Sequence, residues 1–329
     1  MKKAFTLIEL LMVVAIIAII STLAVTKMGG LREGAARKVS LANQKAVERA
    51  VDAFLAGGGR LNRLDSLLYA GDGGAPILGT TPGDFDFTTQ STAENRSGFY
   101  LGPSADADET VRDQFNSGLT PGLKNVLCLY TLSPAQVASL TTRLGLKYVM
   151  AATAYADSAQ TAFPSLHYPK DRPYGDGTVP NASDGLDPND SFCIATAVTN
   201  SMTVAAVNPM TDLGRTIYQA CGQELMNTKN WGESYTESEV RAEVAASGGP
   251  LLAFGLGDSA SIIGKADAGL DSAPYATFAQ KKFYSRYILL VRMKTIGSGS
   301  SSVVLPEFAG VIDCCGSSVR AAQHIVKRM

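Results

Sequence analysis

A carboxylate sits where hydrocarbon is expected. Between Phe5 and Val25 the chain has one charged residue, Glu9, and a carboxylate at the middle of a bilayer costs at least ~2.5 kcal/mol on insertion scales. Such a charge is kept for a function. Other residues of chemical interest are thinly spread. The chain has two histidines, His167 and His324, which leaves little material for acid–base or metal chemistry near neutral pH. Neither falls in a triad motif that would make Ser259 a nucleophile, and His324, beside Lys327 and Arg328, reads as a solvated side chain. Asp176, Asp184, Asp187 and Asp190, with Asn181 and Asn189, crowd one Pro- and Gly-rich loop. Oxygen-rich loops hold calcium, but the spacing fits no EF-hand, and the same residue types simply make turns. Gly255-Leu256-Gly257-Asp258-Ser259-Ala260 follows an apolar run as a dinucleotide loop would, yet no clear βαβ unit surrounds it. Asn95, Asn181 and Asn189 each open an N-x-S glycosylation pattern, a short pattern that recurs by chance.

Five cysteines, Cys128, Cys193, Cys221, Cys314 and Cys315, all lie beyond the apolar stretch. None form a C-x-x-C pair, which argues against a zinc ribbon or a thioredoxin-like motif. If the stretch spans a membrane with its Lys-rich end inside, all five face an oxidising compartment and are disulfide candidates. Adjacent cysteines seldom bond to each other, so Cys314 and Cys315 are expected to seek other partners, with one thiol left over.

The element that must position Glu9 is a helix. About 20 apolar residues at 1.5 Å each cover a bilayer core of about 30 Å, and Lys2 and Lys3 hold the near end in the cytoplasm. From Leu31 to Leu55 the pattern stays helical but turns amphipathic. Val39, Ala42, Ala46, Ala50 and Ala53 fall at threes and fours, a small-residue stripe expected to face the head, and Gly57-Gly58-Gly59 stops the helix. Beyond it, residues 60–125 read as loops with short elements. Ser133-Pro134 starts a helix running to about Leu144, Lys147 to Thr153 suits a strand, and further helices cover Gly214 to about Asn227 and Ser238 to Ala246. Residues 283–313 read as a hairpin around a Gly-Ser tip, with Pro306 demoting its second strand to an edge. Gly316 to Arg328 reads as a closing helix.

Three readings compete for the N-terminus. A cleavable secretory signal usually has a shorter apolar stretch and a better site than Thr22-Leu23-Ala24. A plain signal anchor has the right length but gives no reason for Glu9. The third reading does. Lys3-Ala4-Phe5-Thr6-Leu7-Ile8-Glu9-Leu10 closely resembles the prepilin motif of type IV pilins and type II secretion pseudopilins. The resemblance covers about the first 30 residues. It implies that a prepilin peptidase cuts between Ala4 and Phe5, that Phe5 becomes N-methylated, and that Glu9 guides assembly. Ala4 departs from the family's usual Gly but is small and should still fit a narrow peptidase subsite. Ala18 and Thr26 stand where many pilins have a helix-breaking Gly and a Pro, leaving Gly29-Gly30 as the place where this helix would melt. After cleavage the Phe5 amine lies four residues from Glu9, on one helix face. In a filament the amine of an incoming subunit can neutralise a neighbour's Glu9 instead.

The resemblance implies an α+β, pilin-like fold: a long N-terminal helix packed on a globular head with an antiparallel β-sheet. Its expected parts are a leader (1–4), a helix (5–56, with 5–26 transmembrane and 27–56 amphipathic) and a head (57–329). The expected function is that of a structural, non-enzymatic subunit of an extracellular type IV pilus-like filament. Its partners are then copies of itself, prepilin peptidase, inner-membrane assembly machinery, and the inner membrane itself before assembly. A formal net charge of −1 provides no basic field for nucleic acid. No cofactor is called for beyond the possible calcium loop. A type II secretion pseudopilin in the periplasm is the alternative. A membrane-anchored exported enzyme or binding protein is the alternative from another class.

Overall fold

The computed structural model describes residues 38–70, 98–100, 119–153, 192–199, 202–225, 237–257, 260–265, 270–274, 276, 284, 286–297 and 302–319. Helix α1 covers residues 38–56, a run free of glycine and proline. Its end is set by glycine. Gly58 adopts φ 81°, its amide donates to the Leu55 carbonyl, and the Gly59 amide donates to the Phe54 carbonyl at 2.8 Å. These are the two bonds of a Schellman cap, which needs a left-handed residue that glycine supplies without strain.

The buried face of α1 differs from the expected one. Ser40, Gln44, Val47 and Val51, spaced by four, three and four, are buried, whereas Val39, Ala42, Ala46 and Ala53 are exposed. The small-residue stripe points away from the head. The reason is polar: the Gln44 amide finds two carbonyl acceptors at the end of the last strand, so a Ser–Gln–Val–Val seam is satisfied inside. Burial of Val47 and Val51 adds roughly 1.5–3 kcal/mol each.

Among the described residues nine strands form one sheet. They are β1 (Arg63–Ala70), β2 (Gly98–Tyr100), β3 (Leu127–Thr131), β4 (Tyr148–Thr153), β5 (Phe192–Ala197), β6 (Thr203–Val207), β7 (Leu251–Gly255), β8 (Ile288–Ile296) and β9 (Val303–Ile312). Strand β7 is the hub. It pairs along its length with β8, touches β6 at Leu252–Ala206, and touches β1 at Gly255–Asp65. Behind β6 come β3 and β2; behind β1 come β4 and β5. The sheet therefore forks at β7 into two wings, with the β8–β9 hairpin as its stem.

The expected antiparallel sheet is mixed, because β1 and β4 run parallel from Arg63–Tyr148 to Ala70–Thr153. Parallel neighbours need a long crossover, and the described part of the segment between them contains two helices. The first is α2 (Pro121–Lys124); the second, α3 (Pro134–Ser139), continues as a π-helical turn, Leu140–Leu144. Ser133 and Gln136 form a reciprocal capping box and Pro134 occupies the first turn. The Leu61 amide then bonds the Leu144 carbonyl, closing the crossover onto the start of β1. Strand β1 itself lies where loops were expected. Its pairing shifts between Asp65 and Tyr69, and buried Leu67 sits at φ 61° inside the bulge.

Strands β3, β6 and β7 are buried at every position, as continuous apolar runs covered on both faces must be. Helix α4 (Asp212–Ala220) starts at a Thr211 cap and stops at Cys221 and Gly222, short of the expected Asn227. Helix α5 (Glu237–Ser247) stops at Gly248 and Gly249. The hairpin β8–β9 pairs from Ile288–Ile312 to Ile296–Val303, with Pro306 in the outer strand opposite Met293. Of the expected closing helix, the segment from 320 on lies outside the described residues.

Candidate functional site

The residues that carry the sequence argument, Ala4, Phe5 and Glu9, lie outside the described residues, as do Asp176, Asp184, Asp187 and Asp190. What is described is α1, which follows them in the chain, and the place where it meets the last strands. Three residues of α1 clamp it there. The Gln44 amide donates to Val311 O at 2.7 Å and to Ser317 O at 3.0 Å. Tyr287 Oη donates to the Ser40 carbonyl at 3.0 Å, and Glu48 Oε1 accepts from the Val311 amide at 3.2 Å. All three contacts join positions more than 240 residues apart, so the first described helix is fixed by the last strands.

The turn after β9 receives that clamp. Asp313 Oδ1 accepts from the amides of Cys315 at 2.9 Å and Ser317 at 2.8 Å, shaping a local Asx-type turn. Burial pushes the Asp313 carboxyl above its ordinary range, against the lowering effect of those amides. Burial also raises the Tyr287 hydroxyl, with the hydrogen bond to the Ser40 side chain opposing it. On the far side, Thr120 Oγ1 donates to the Cys314 carbonyl. A Cβ on Gly122 would meet the Cys315 carbonyl at 2.3 Å, so only glycine lets α2 approach this turn.

The cysteines divide by environment. Cys128 and Cys314 are buried free thiols, Cys221 is half-buried and Cys315 is exposed. Cys128 Sγ donates to Ala206 O across the β3–β6 pair at 3.6 Å, and burial raises its thiol far above the ordinary range. The Cys314 thiol is raised too, first by a hydrogen bond with the neighbouring Cys315 thiol and then by burial. The Cys193 side chain lies outside what is described; its backbone is in β5.

The glycine-rich stretch after β7 has a packing role. A Cβ on Gly255 would lie 2.0 Å from Tyr284 Oη, and one on Gly257 would lie 1.9 Å from Asp65 Oδ2. Both glycines make room for the hydrogen bond from Tyr284 Oη to Asp65 Oδ2, 3.1 Å long and fully buried. The space that a phosphate would need is filled by a carboxylate.

A cavity of about 380 Å³ opens beside the clamp. Glu48 and Asp52 of α1, Cys221 at the end of α4, Leu290 and Phe308 of the hairpin, and Val319 help to line it. The Arg292 guanidinium donates to the Cys221 carbonyl and approaches Glu307 at 3.7 Å, fixing that wall. Carboxylates above an apolar floor suit a basic side chain with an apolar stem. Sequence reasoning did not single out Gln44, Tyr287 or this cavity, because each depends on contacts between chain ends. Among the described residues no cluster of three or more His, Cys, Asp or Glu side chains is placed to hold a metal ion. Among them, too, no helix is long and apolar enough to cross a membrane.

Residues 1–25 match the family model for the prokaryotic N-terminal methylation motif, the prepilin-type cleavage and methylation signal of type IV pilins and pseudopilins. The match supports a pilin-like or pseudopilin-like protein, and proteins with this motif are generally structural. It implies a membrane-anchored precursor handled by prepilin peptidase. No curated protein and no solved structure matches the chain.

Proposed function

We propose that the mature chain, from Phe5 onward, is the structural subunit of an extracellular type IV pilus-like filament. One observation carries this reading: a lone carboxylate, Glu9, four residues after the Ala4-Phe5 junction, inside a stretch that matches the methylation motif. Cleavage frees an amine at Phe5. In low dielectric neither the amine nor the carboxylate is tolerated alone. Pairing the amine of an entering subunit with Glu9 of its neighbour satisfies both, and only at one axial register. Moving the apolar helix from lipid to a filament core desolvates little new apolar surface, so packing and this charge pair must supply the specificity. The clamp of α1 on the last strands supports the same reading, since a pull on the helix is then borne by the core of the head.

The test is the mature terminus and its neighbour charge. Mass spectrometry of the full chain, made together with a prepilin peptidase and assembly machinery, should find N-methyl-Phe at position 5. Glu9→Gln should leave processing intact and abolish filaments on the cell surface. A terminus after Ala24, or normal filaments from Glu9→Gln, overturns the proposal. A secretion defect without surface filaments would place the chain in a periplasmic pseudopilus instead.

A further inference from the structure

We propose that the cavity beside the clamp is the seat of this chain's own segment 320–329, which lies outside the described residues. The segment crosses the cavity and sets the Lys327 ammonium against Glu48 and Asp52. The chain is delivered there by the turn after β9. The Asp313 amide donates to Ser317 O at 3.0 Å, and Ser318 bridges back to Ile312, so the turn is held against the sheet as far as Ser318. Val319 follows, half-buried, and lines the cavity itself. Whatever comes next starts at the cavity wall.

What comes next matches that wall in charge and in pattern. Glu48 and Asp52, one turn apart on α1, supply two carboxylates, and Leu290, Phe308 and Val311 supply an apolar floor. Segment 320–329 carries Arg320, Lys327 and Arg328 and no acidic residue. At helical spacing Ala322, Val326 and Lys327 fall on the face of Val319. That face offers apolar side chains to the floor, then a cation on an apolar stem to the carboxylates. The reach agrees as well. Gln44, which holds Ser317 O, lies about 12 Å before Asp52 along α1. Val319 and Lys327 have the same separation in sequence, and in a helix the same rise.

Tethered at the wall, the segment meets the carboxylates at an effective concentration on the order of millimolar, ahead of a basic group on another molecule. Seated so, it straps the later half of α1 to the hairpin, as Gln44 and Tyr287 hold the earlier half.

The experiment uses the full-length chain in detergent, an equal mixture of unlabelled and heavy-nitrogen-labelled copies, treated with a water-soluble carbodiimide. The reagent activates a carboxylate, and an amine in contact with it displaces the urea and closes an amide. Peptide mass spectrometry should find Lys327 joined to Glu48 or Asp52, both halves of each pair carrying the same isotope. Amide exchange reads the strap without a reagent. Lys327→Glu should quicken exchange over residues 48–56 at least about threefold, and Lys327→Arg should leave it as in the parent. Asp52→Lys combined with Lys327→Glu should restore it. Unchanged exchange in β7 and β8 shows that the variants fold. The proposal is overturned if Lys327 is joined to neither carboxylate, if Lys327→Glu leaves exchange over 48–56 unmoved, or if the swapped charges fail to restore it. Pairs of mixed isotope overturn it too, and assign the cavity to a second copy of the chain.

Discussion

The side-chain amide of Gln44 donates to the carbonyl of Val311, 267 residues later, at 2.7 Å. The same amide reaches Ser317 O, so one buried glutamine ties α1 to the last strand and to the turn beyond it. Gln44→Leu keeps the volume but leaves the Val311 carbonyl without this buried donor. A loss of about 1–3 kcal/mol is expected, read as a lower urea midpoint for the full chain in detergent. An unchanged midpoint would mean that the clamp does not hold the helix.

The two faces of α1 make a paired prediction. Val47 is 1% exposed and Val47→Ala should cost about 1–3 kcal/mol. Ala46, one residue earlier, is exposed, and Ala46→Gln should stay within about 0.5 kcal/mol of the parent. Urea unfolding of both variants checks which side of the helix the head covers, and the opposite order would reinstate the small-residue stripe as the buried side.

At the end of β7 the prediction concerns glycine. Gly257→Ala drives a methyl group into the Asp65 carboxylate, and the overpacking should cost about 1–3 kcal/mol. Tyr284→Phe removes the hydroxyl that donates to Asp65 Oδ2 at 3.1 Å and should cost a similar amount. Thermal unfolding measures both. A dinucleotide added to the parent should not raise its melting temperature, since the glycines are occupied.

Asp313 predicts a pH dependence. Its carboxyl is raised above the ordinary value of 3.8, chiefly by burial. Between that value and the raised one, the folded chain keeps a proton that the unfolded chain has lost. Stability from this residue is therefore present at low pH and lost as pH rises through the window. Asn at 313 has no such proton and can still accept the two turn amides through its carbonyl oxygen. Asp313→Asn should lose less stability than the parent as pH rises above the ordinary value of 3.8 in urea titrations; parallel losses would contradict the assignment.

What could be read from the amino-acid order, and what could not, follows one physical line. The N-terminal motif, matched over residues 1–25, was legible because a charge in an apolar run violates a strong rule. The amphipathic helix, the Ser133-Pro134 start and the terminal hairpin were legible because caps, periodicity and turn residues are local signals. The docked face of α1 was misread because Ser40 and Gln44 count as polar until their partners, Tyr287, Val311 and Ser317, are known. Strand β1 was missed for a like reason: Asp65 and Ser66 interrupt it, and both are fully buried. Parallel pairing of β1 with β4 and the three-way junction at β7 are relations between distant segments, and no window of sequence contains them.

The fork at β7 has a consequence for the order in which a newly exported chain matures. Strands β1 through β6 leave the translocation pore first, yet their two groups are bridged by Leu251–Gly255 and sealed by a hairpin made last. Such late, non-local closure is slow, and until it happens both groups present open edges to any neighbour.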